Sequence, residues 1–274
     1  HSLAFIPAGA LVATLLLYFL LRKKTGFFEC YIFCLVGCAT HALLDSCTIY
    51  GTKLLWPISH ELISWGFISD IDVVLSLILL IFVILATIRR SVLFAIIGIA
   101  CFAAYLLLAI WQQQKVKNML YDVVESRHHQ ITRAIFIPSI SNIILWRTIY
   151  QSGPDYYIDA IRMPIIKGQR PILYEGDKFP VFASYQVFPA IERNSLQRED
   201  IRRFSDYTDN YFYLDYRWPT MLLDLRKTIV PNGMNPYYGI EMNEDKQDSH
   251  VELKYLEAQK GDAFKLKKML KQLE

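Results

Sequence analysis

Cysteine is absent after residue 101, which excludes a disulfide framework from everything that follows and leaves the redox compartment of that part unread. Charge is scarce at the other end: residues 1–111 hold 11 of the Lys, Arg, Asp and Glu side chains, whereas residues 112–274 hold the other 44. So uneven a division excludes one uniform soluble domain and points to a membrane half joined to a soluble half. No basic stripe is present. The net charge is +3, and acidic residues interleave with basic ones in the second half, which excludes a nucleic-acid interface. That half also lacks a glycine-rich phosphate loop, a Cys-x-x-Cys pair and a Ser-His-Asp order, and so offers no familiar catalytic signature. The sequence does not begin with methionine. It opens on "HSLAFIPAGALVATLLLYFLLRKK", where the basic residues follow the apolar run instead of preceding it. This pattern reads as a transmembrane helix and not a signal peptide, and residue 1 reads as the cut end of a longer or processed chain.

What is present in abundance is apolar sequence. Four runs, at 3–21, 27–44, 71–88 and 91–111, each approach the ~20 residues that a bilayer's hydrocarbon core requires. The expected fold is therefore a membrane α-helical bundle of about four transmembrane helices over 1–111. A helical stalk is expected over 112–132, followed by a soluble α+β domain with an antiparallel sheet over 133–274. Arg22, Lys23 and Lys24 lie between the first two runs, and Arg89 and Arg90 between the last two. The positive-inside rule puts both loops in the cytoplasm. The 41–70 stretch and the carboxyl-terminal domain then fall on the outer face, the periplasmic side of a bacterial inner membrane, with membrane lipids as the first partners.

The apolar half is interrupted by "HALLDSCTIYGTKLLWP", residues 41–57. His41 and Asp45 stand four apart, so on a helix they share one face about a turn from each other, a spacing at which they can hold one metal ion or hydrogen-bond each other. Zinc and similar divalent ions accept imidazole nitrogen and carboxylate oxygen. Thr48 and Thr52 can orient ligands or cap a turn, and Gly51 permits a bend or a close approach. Asp70 and Asp72 precede the third run, where a carboxylate also stabilises the helix dipole. His1, His41, Asp45, Asp70 and Asp72 are all expected at one membrane surface. Cys30, Cys34 and Cys38 fall on one helical face and read as small packing residues more readily than as soft ligands.

Taken together, "HALLDSCTIYGTKLLWPIS" and "FISDIDVVLSL" resemble the YdjM-like family of bacterial inner-membrane proteins, which are predicted to be metal-dependent hydrolases. That family carries His-x-x-x-Asp, Thr-x-Tyr-Gly-Thr, Trp-Pro and a later Ile-Asp-Pro. Here these fall on His41, Asp45, Thr48, Tyr50, Gly51, Thr52, Trp56, Pro57 and Asp72, with Val73 in place of the proline. The opening "HSL" resembles the end of a Thr-His-Ser-Leu motif, which makes His1 a further candidate ligand. The resemblance implies a divalent ion, with zinc as the first expectation, held by His1, His41, Asp45 and Asp72, and Asp72 or Asp70 as catalytic base. It also implies Thr48, Gly51 and Thr52 as supporting groups and a phosphoester or lipid-linked envelope substrate. The family's upstream Pro-Asp-x-Asp segment and second histidine precede residue 1 of this sequence. The alternative is a non-enzymatic membrane protein whose periplasmic domain binds an envelope partner.

In the second half, short β-like runs, "RAIFIP", "NIILWRTIY", "YYIDAIRM", "NYFYLDYRW" and "YYGIEM", are separated by turn residues. Helices are expected around 195–206 and from about 249 onward. His128 and His129 are adjacent and point to different faces. Trp146, Arg147, Tyr156, Tyr157, Tyr216, Arg217 and Trp218 are candidates for a binding face, although strand aromatics usually pack as core.

Overall fold

The computed structural model describes residues 2–166, 168–257, 259 and 261–271. The chain divides into two compact units: residues 1–111 with 140–143, and residues 112–139 with 144–274.

The first unit is built from α1 (Ile6–Leu21), α2 (Phe27–Cys47), α3 (Val73–Arg89) and the amino-terminal part of α4 (Val92–Ser126). Pro7 opens α1, where its missing N–H costs nothing. Glu29 reaches back to the Gly26 amide at 3.1 Å and closes the first turn of α2. α1 packs on α2 through small residues: Ala10 and Thr14 are buried on one helix, Cys30 and Ala42 on the other. Ile6, Ala42 and Leu54 form a small core there, against which Leu35, Cys38, Ala39 and Ile63 pack. Between α3 and α4 the approach is equally close, since a Cβ on Gly98 would lie 2.6 Å from that of Phe82. Outward faces are apolar. Leu16, Phe19, Leu20, Phe28, Phe33, Ile88, Val92 and Ile99 are among the many large hydrophobic side chains left exposed, a surface that water would not tolerate at this extent. α2 and α4 are long and apolar enough to cross a membrane; α1 and α3 are shorter apolar helices of 16 and 17 residues.

The second unit contains two four-stranded antiparallel sheets. The first is a meander of β1 (Arg133–Pro138), β2 (Leu145–Ser152), β3 (Asp155–Arg162) and β4 (Ile172–Pro180). Its β2–β3 hairpin turns on two residues, of which Gly153 supplies the positive φ of 59°. The register slips between Tyr157 and Asp159, opposite a point where Gly176 lies so near Ile158 that an added Cβ would meet its carbonyl oxygen at 2.5 Å. Val116, Leu120 and Val124 recur at helical spacing on the carboxyl-terminal part of α4 and are buried. Gln112 from the same stretch donates to the Met163 carbonyl at 2.9 Å.

α5 (Leu196–Tyr207) leads into the second sheet, β5 (Phe212–Asp215), β6 (Trp218–Asp224), β7 (Tyr238–Glu241) and β8 (Glu252–Tyr255). Ser195 caps α5 by accepting from the Arg198 amide. Ile201 and Phe204 from the helix meet Phe212, Leu222, Tyr238 and Ile240 from the strands in one core. α6 (Asp262–Lys271) sets Met269 against Leu145, Ala160 and Val230.

The expected helix from about 249 is corrected: residues 252–255 form β8, and helix begins only at Asp262. The single antiparallel sheet becomes two. The proposed aromatic binding face is also corrected in part, because Trp146, Tyr156 and Arg147 are buried in the interior, whereas Tyr216 is 91% exposed.

Candidate functional site

The 41–72 stretch is a folded corner that closes the carboxyl-terminal end of α2. An α-helix leaves its last carbonyls without intrahelical partners. Here Trp65 donates to the Ser46 carbonyl at 2.7 Å, and the Phe67 and Ile68 amides converge on that of Cys47 at 3.0 and 3.2 Å. The Ser64 hydroxyl adds bonds to the Thr48 and Ile49 carbonyls. Between these strands of chain, Thr52 and Ile63 exchange both backbone hydrogen bonds, at 2.9 and 3.0 Å. Gly51 sits at φ 62°, and a Cβ there would meet the Ile63 carbonyl oxygen at 2.4 Å, so only glycine fits. Thr48 is the C-cap of α2, its hydroxyl donating to the Asp45 carbonyl at 2.8 Å, and Thr52 is buried in the corner. The Trp56 carbonyl accepts from the Ser2 hydroxyl, and the Leu3 amide donates to Leu54 at 2.8 Å, which ties the start of the described chain to the same corner.

His41 and Asp45 emerge from the last turns of α2 on one face. Nδ1 of His41 lies 3.8 Å from Oδ1 of Asp45, with the histidine side chain 62% exposed and the aspartate 32%. An accessible imidazole–carboxylate pair of this kind can accept and donate protons, or supply two ligands to an ion.

Asp72 is engaged elsewhere. It is the N-cap of α3, where Oδ1 accepts from the Leu75 amide at 2.9 Å, and Oδ2 accepts from the Tyr105 hydroxyl on α4 at 2.6 Å. Both oxygens of this buried carboxylate are thus used to start one helix and join it to another. Ser141, at φ 59°, takes part in the same helix start: its hydroxyl accepts from the Val73 amide at 3.3 Å and its own amide donates to the Ile71 carbonyl at 3.1 Å. Asp70 is exposed beside it. His1 lies outside the described residues. Tyr105 was not singled out from the sequence; its only signal there is a lone phenol in the apolar run "FAAYLLLAIW".

A catalytic zinc site takes three protein ligands and a structural one takes four. Among the described residues no group of three or more His, Cys, Asp and Glu side chains is placed to hold a metal ion. Of the four ligands that the resemblance implied, His41 and Asp45 lie together, Asp72 is engaged at the start of α3, and His1 lies outside the described residues.

Apolar helices with exposed hydrophobic faces and a polar corner closing one of them fit a membrane location, and the antiparallel sheets form a separate unit. Residues 1–116 match the family described as YdjM inner membrane protein, so this stretch of the chain is similar to that family; the match does not extend to residues 117–274. No curated protein and no solved structure matches the chain.

Proposed function

We propose that the protein is a multi-pass inner-membrane protein whose first unit serves as a non-enzymatic membrane scaffold and whose second unit is a periplasmic binding module. The observation that carries this reading is the engagement of Asp72. The one buried carboxylate of the 41–72 stretch is spent on the start of α3 and on Tyr105. The family match of residues 1–116 and the four apolar helices support a polytopic arrangement. At 1.5 Å per residue α1 and α3 span about 24–26 Å, slightly under the hydrocarbon thickness, a mismatch that local bilayer thinning absorbs. Arg22, Lys23 and Lys24, and then Arg89 and Arg90, hold the two short connections inside. A phosphatase that is active only outside the cytoplasm, fused after residue 274, is expected to be active in intact cells. Activity of a cytoplasm-only reporter at that position would overturn the orientation.

A second reading, metal-dependent hydrolysis of a phosphoester or lipid-linked substrate, is favoured by one observation, the exposed His41–Asp45 pair at 3.8 Å. It requires ligands beyond those that the described residues bring together. Elemental analysis of the purified full-length protein after incubation with zinc and manganese separates the two readings. The scaffold reading expects no stoichiometric divalent ion. A near-stoichiometric ion, lost in folded His41→Ala and Asp45→Ala variants, would replace it with the hydrolase.

A further inference from the structure

The second unit contains a cavity of about 540 Å³ beside α5, walled by Tyr185, Pro189 and Ile191 and lined by three arginines, Arg193, Arg198 and Arg202. Arg198 and Arg202 are one turn apart on the same face of the helix, and Arg193 precedes its cap. Among the described residues none of the three is paired with a carboxylate, in contrast to Arg203 on the next face, which meets Glu199 at 2.5 Å and Asp200 at 3.4 Å.

Arg198 is buried, and its two terminal nitrogens donate to the carbonyls of Ser184, Val187, Phe188 and Ile191 at 2.7–3.1 Å. These bonds hold the 184–191 loop, including Phe188 at φ 50°, as the cavity wall. They are all to neutral groups, and the Nε of Arg198 has no hydrogen-bond partner among the described residues. Burial, followed by the charges of Arg202 and Arg193, pulls this guanidinium below its ordinary value. Three like charges gathered on one cavity repel one another, and an anion that shares the space relieves that repulsion. The amide of Arg198 is already taken by the Ser195 hydroxyl, so the positive field comes from the guanidinium groups and not from the helix end.

We infer that this cavity binds a phosphate or diphosphate group carried on an apolar body, with Arg193 and Arg202 gripping the anion, Arg198 supplying fixed charge behind them, and Tyr185, Pro189 and Ile191 receiving the apolar part. Planar guanidinium groups match phosphate oxygens in pairs, and two exposed arginines beside a buried one supply charge for more than one phosphate negative charge. The inference names the ligand class of the binding module proposed above and rests on that reading. It involves none of the residues on which the metal test turns.

The experiment is titration of the full-length protein in neutral detergent micelles with two probes, inorganic pyrophosphate and dodecyl phosphate. It compares the wild type with Arg193→Gln/Arg202→Gln and with Arg203→Gln, which removes a charge from the same helix outside the cavity. Saturable binding is expected, weakened at least tenfold in the double variant and less than twofold in Arg203→Gln. Both altered arginines in the double variant are exposed, and an unchanged melting temperature establishes that the fold is intact. Should the double variant melt early, Arg193→Lys/Arg202→Lys replaces it; this variant keeps the charge, loses the planar fork and is expected to bind at an intermediate strength. Dodecyl phosphate binding ten times tighter than pyrophosphate supports the apolar body, whereas comparable affinity for the two probes overturns that part of the inference and leaves a site for the anion alone. No saturable binding of either probe, or equal weakening in Arg203→Gln and the double variant, overturns the inference.

Discussion

Arg147→Met is expected to destabilise the second unit by about 3–5 kcal/mol, because two buried carbonyl groups and a half-buried one lose their donors at once and each orphaned buried group costs on the order of 1–3 kcal/mol. Arg147 lies on β2 with 3% of its surface exposed. Its Nε and one terminal nitrogen both donate to the Leu225 carbonyl, at 3.2 and 2.8 Å, while the other terminal nitrogen donates to Pro231 and Gly233 at 2.5 and 2.9 Å. One side chain thus ties the first sheet to the turn that follows β6. Burial pulls its guanidinium down to about 10, so part of the gain from these bonds is offset by desolvation. The net loss corresponds to a fall in melting temperature on the order of 10 °C for a unit of this size. Arg147→Lys is not a rescue, since one ammonium does not reproduce the fork. Amide exchange along β2 in the full-length protein is the direct readout. Unchanged protection there, with melting within 2 °C of the wild type, would mean that these bonds contribute nothing.

Asp72→Ala is expected to cost the first unit about 2–4 kcal/mol. The lost cap accounts for roughly 0.5–2 kcal/mol. The Tyr105 hydroxyl, left without its acceptor, adds on the order of 1–3 kcal/mol. Asn is itself a good cap, so Asp72→Asn should lose only the charge-assisted bond to Tyr105 and fall between Ala and the wild type. Tyr105→Phe removes the same bond from the other side, and the two changes together should cost less than their sum, because they share one interaction. Thermal unfolding of the four proteins in detergent measures this cycle. Strict additivity, or an Asp72→Ala protein as stable as the wild type, would return Asp72 to the list of groups available for chemistry.

The helices of the first unit were legible because long apolar runs bounded by charge have few other readings. The expected runs at 27–44 and 71–88 meet α2 at Phe27–Cys47 and α3 at Val73–Arg89. The capping role weighed for Asp72 was legible too, from a carboxylate placed just before an apolar helix. Its second partner was not, because Tyr105 stands 33 residues away on another helix and periodicity carries no pairing information. In the second unit the runs that became β1, β2 and β3 were readable as alternating or continuous apolar sequence. β4 was not: "ILYEGDKFP" leaves four consecutive positions exposed and has no apolar alternation to read. β8 was mistaken for helix because Glu, Leu and Lys favour helices and the pairing with β7 that overrides them is not local. The arginines of the α5 cavity were hidden among the ordinary charges of an amphipathic helix. Only the fold separates Arg203, which meets carboxylates, from Arg202, which meets none among the described residues.

The same two unreadable strands have a role beyond architecture. β4 and β8 are the terminal strands of their sheets, each with an outer side that no further strand of its sheet pairs, although the Glu175 carbonyl of β4 accepts from the Asn232 side chain. β4 carries Glu175, Asp177 and Lys178, and β8 carries Glu252 and Lys254, the latter ion-paired with Glu241 on β7. Charges of mixed sign along an open edge oppose the in-register stacking by which sheets polymerise, since a neighbouring copy would have to strip water from each of them. For a chain held in the plane of a membrane, where copies meet at far higher effective concentration than in free solution, these two strands act as solubility guards, and the features that hid them from a hydrophobic pattern are the ones that keep neighbouring copies apart.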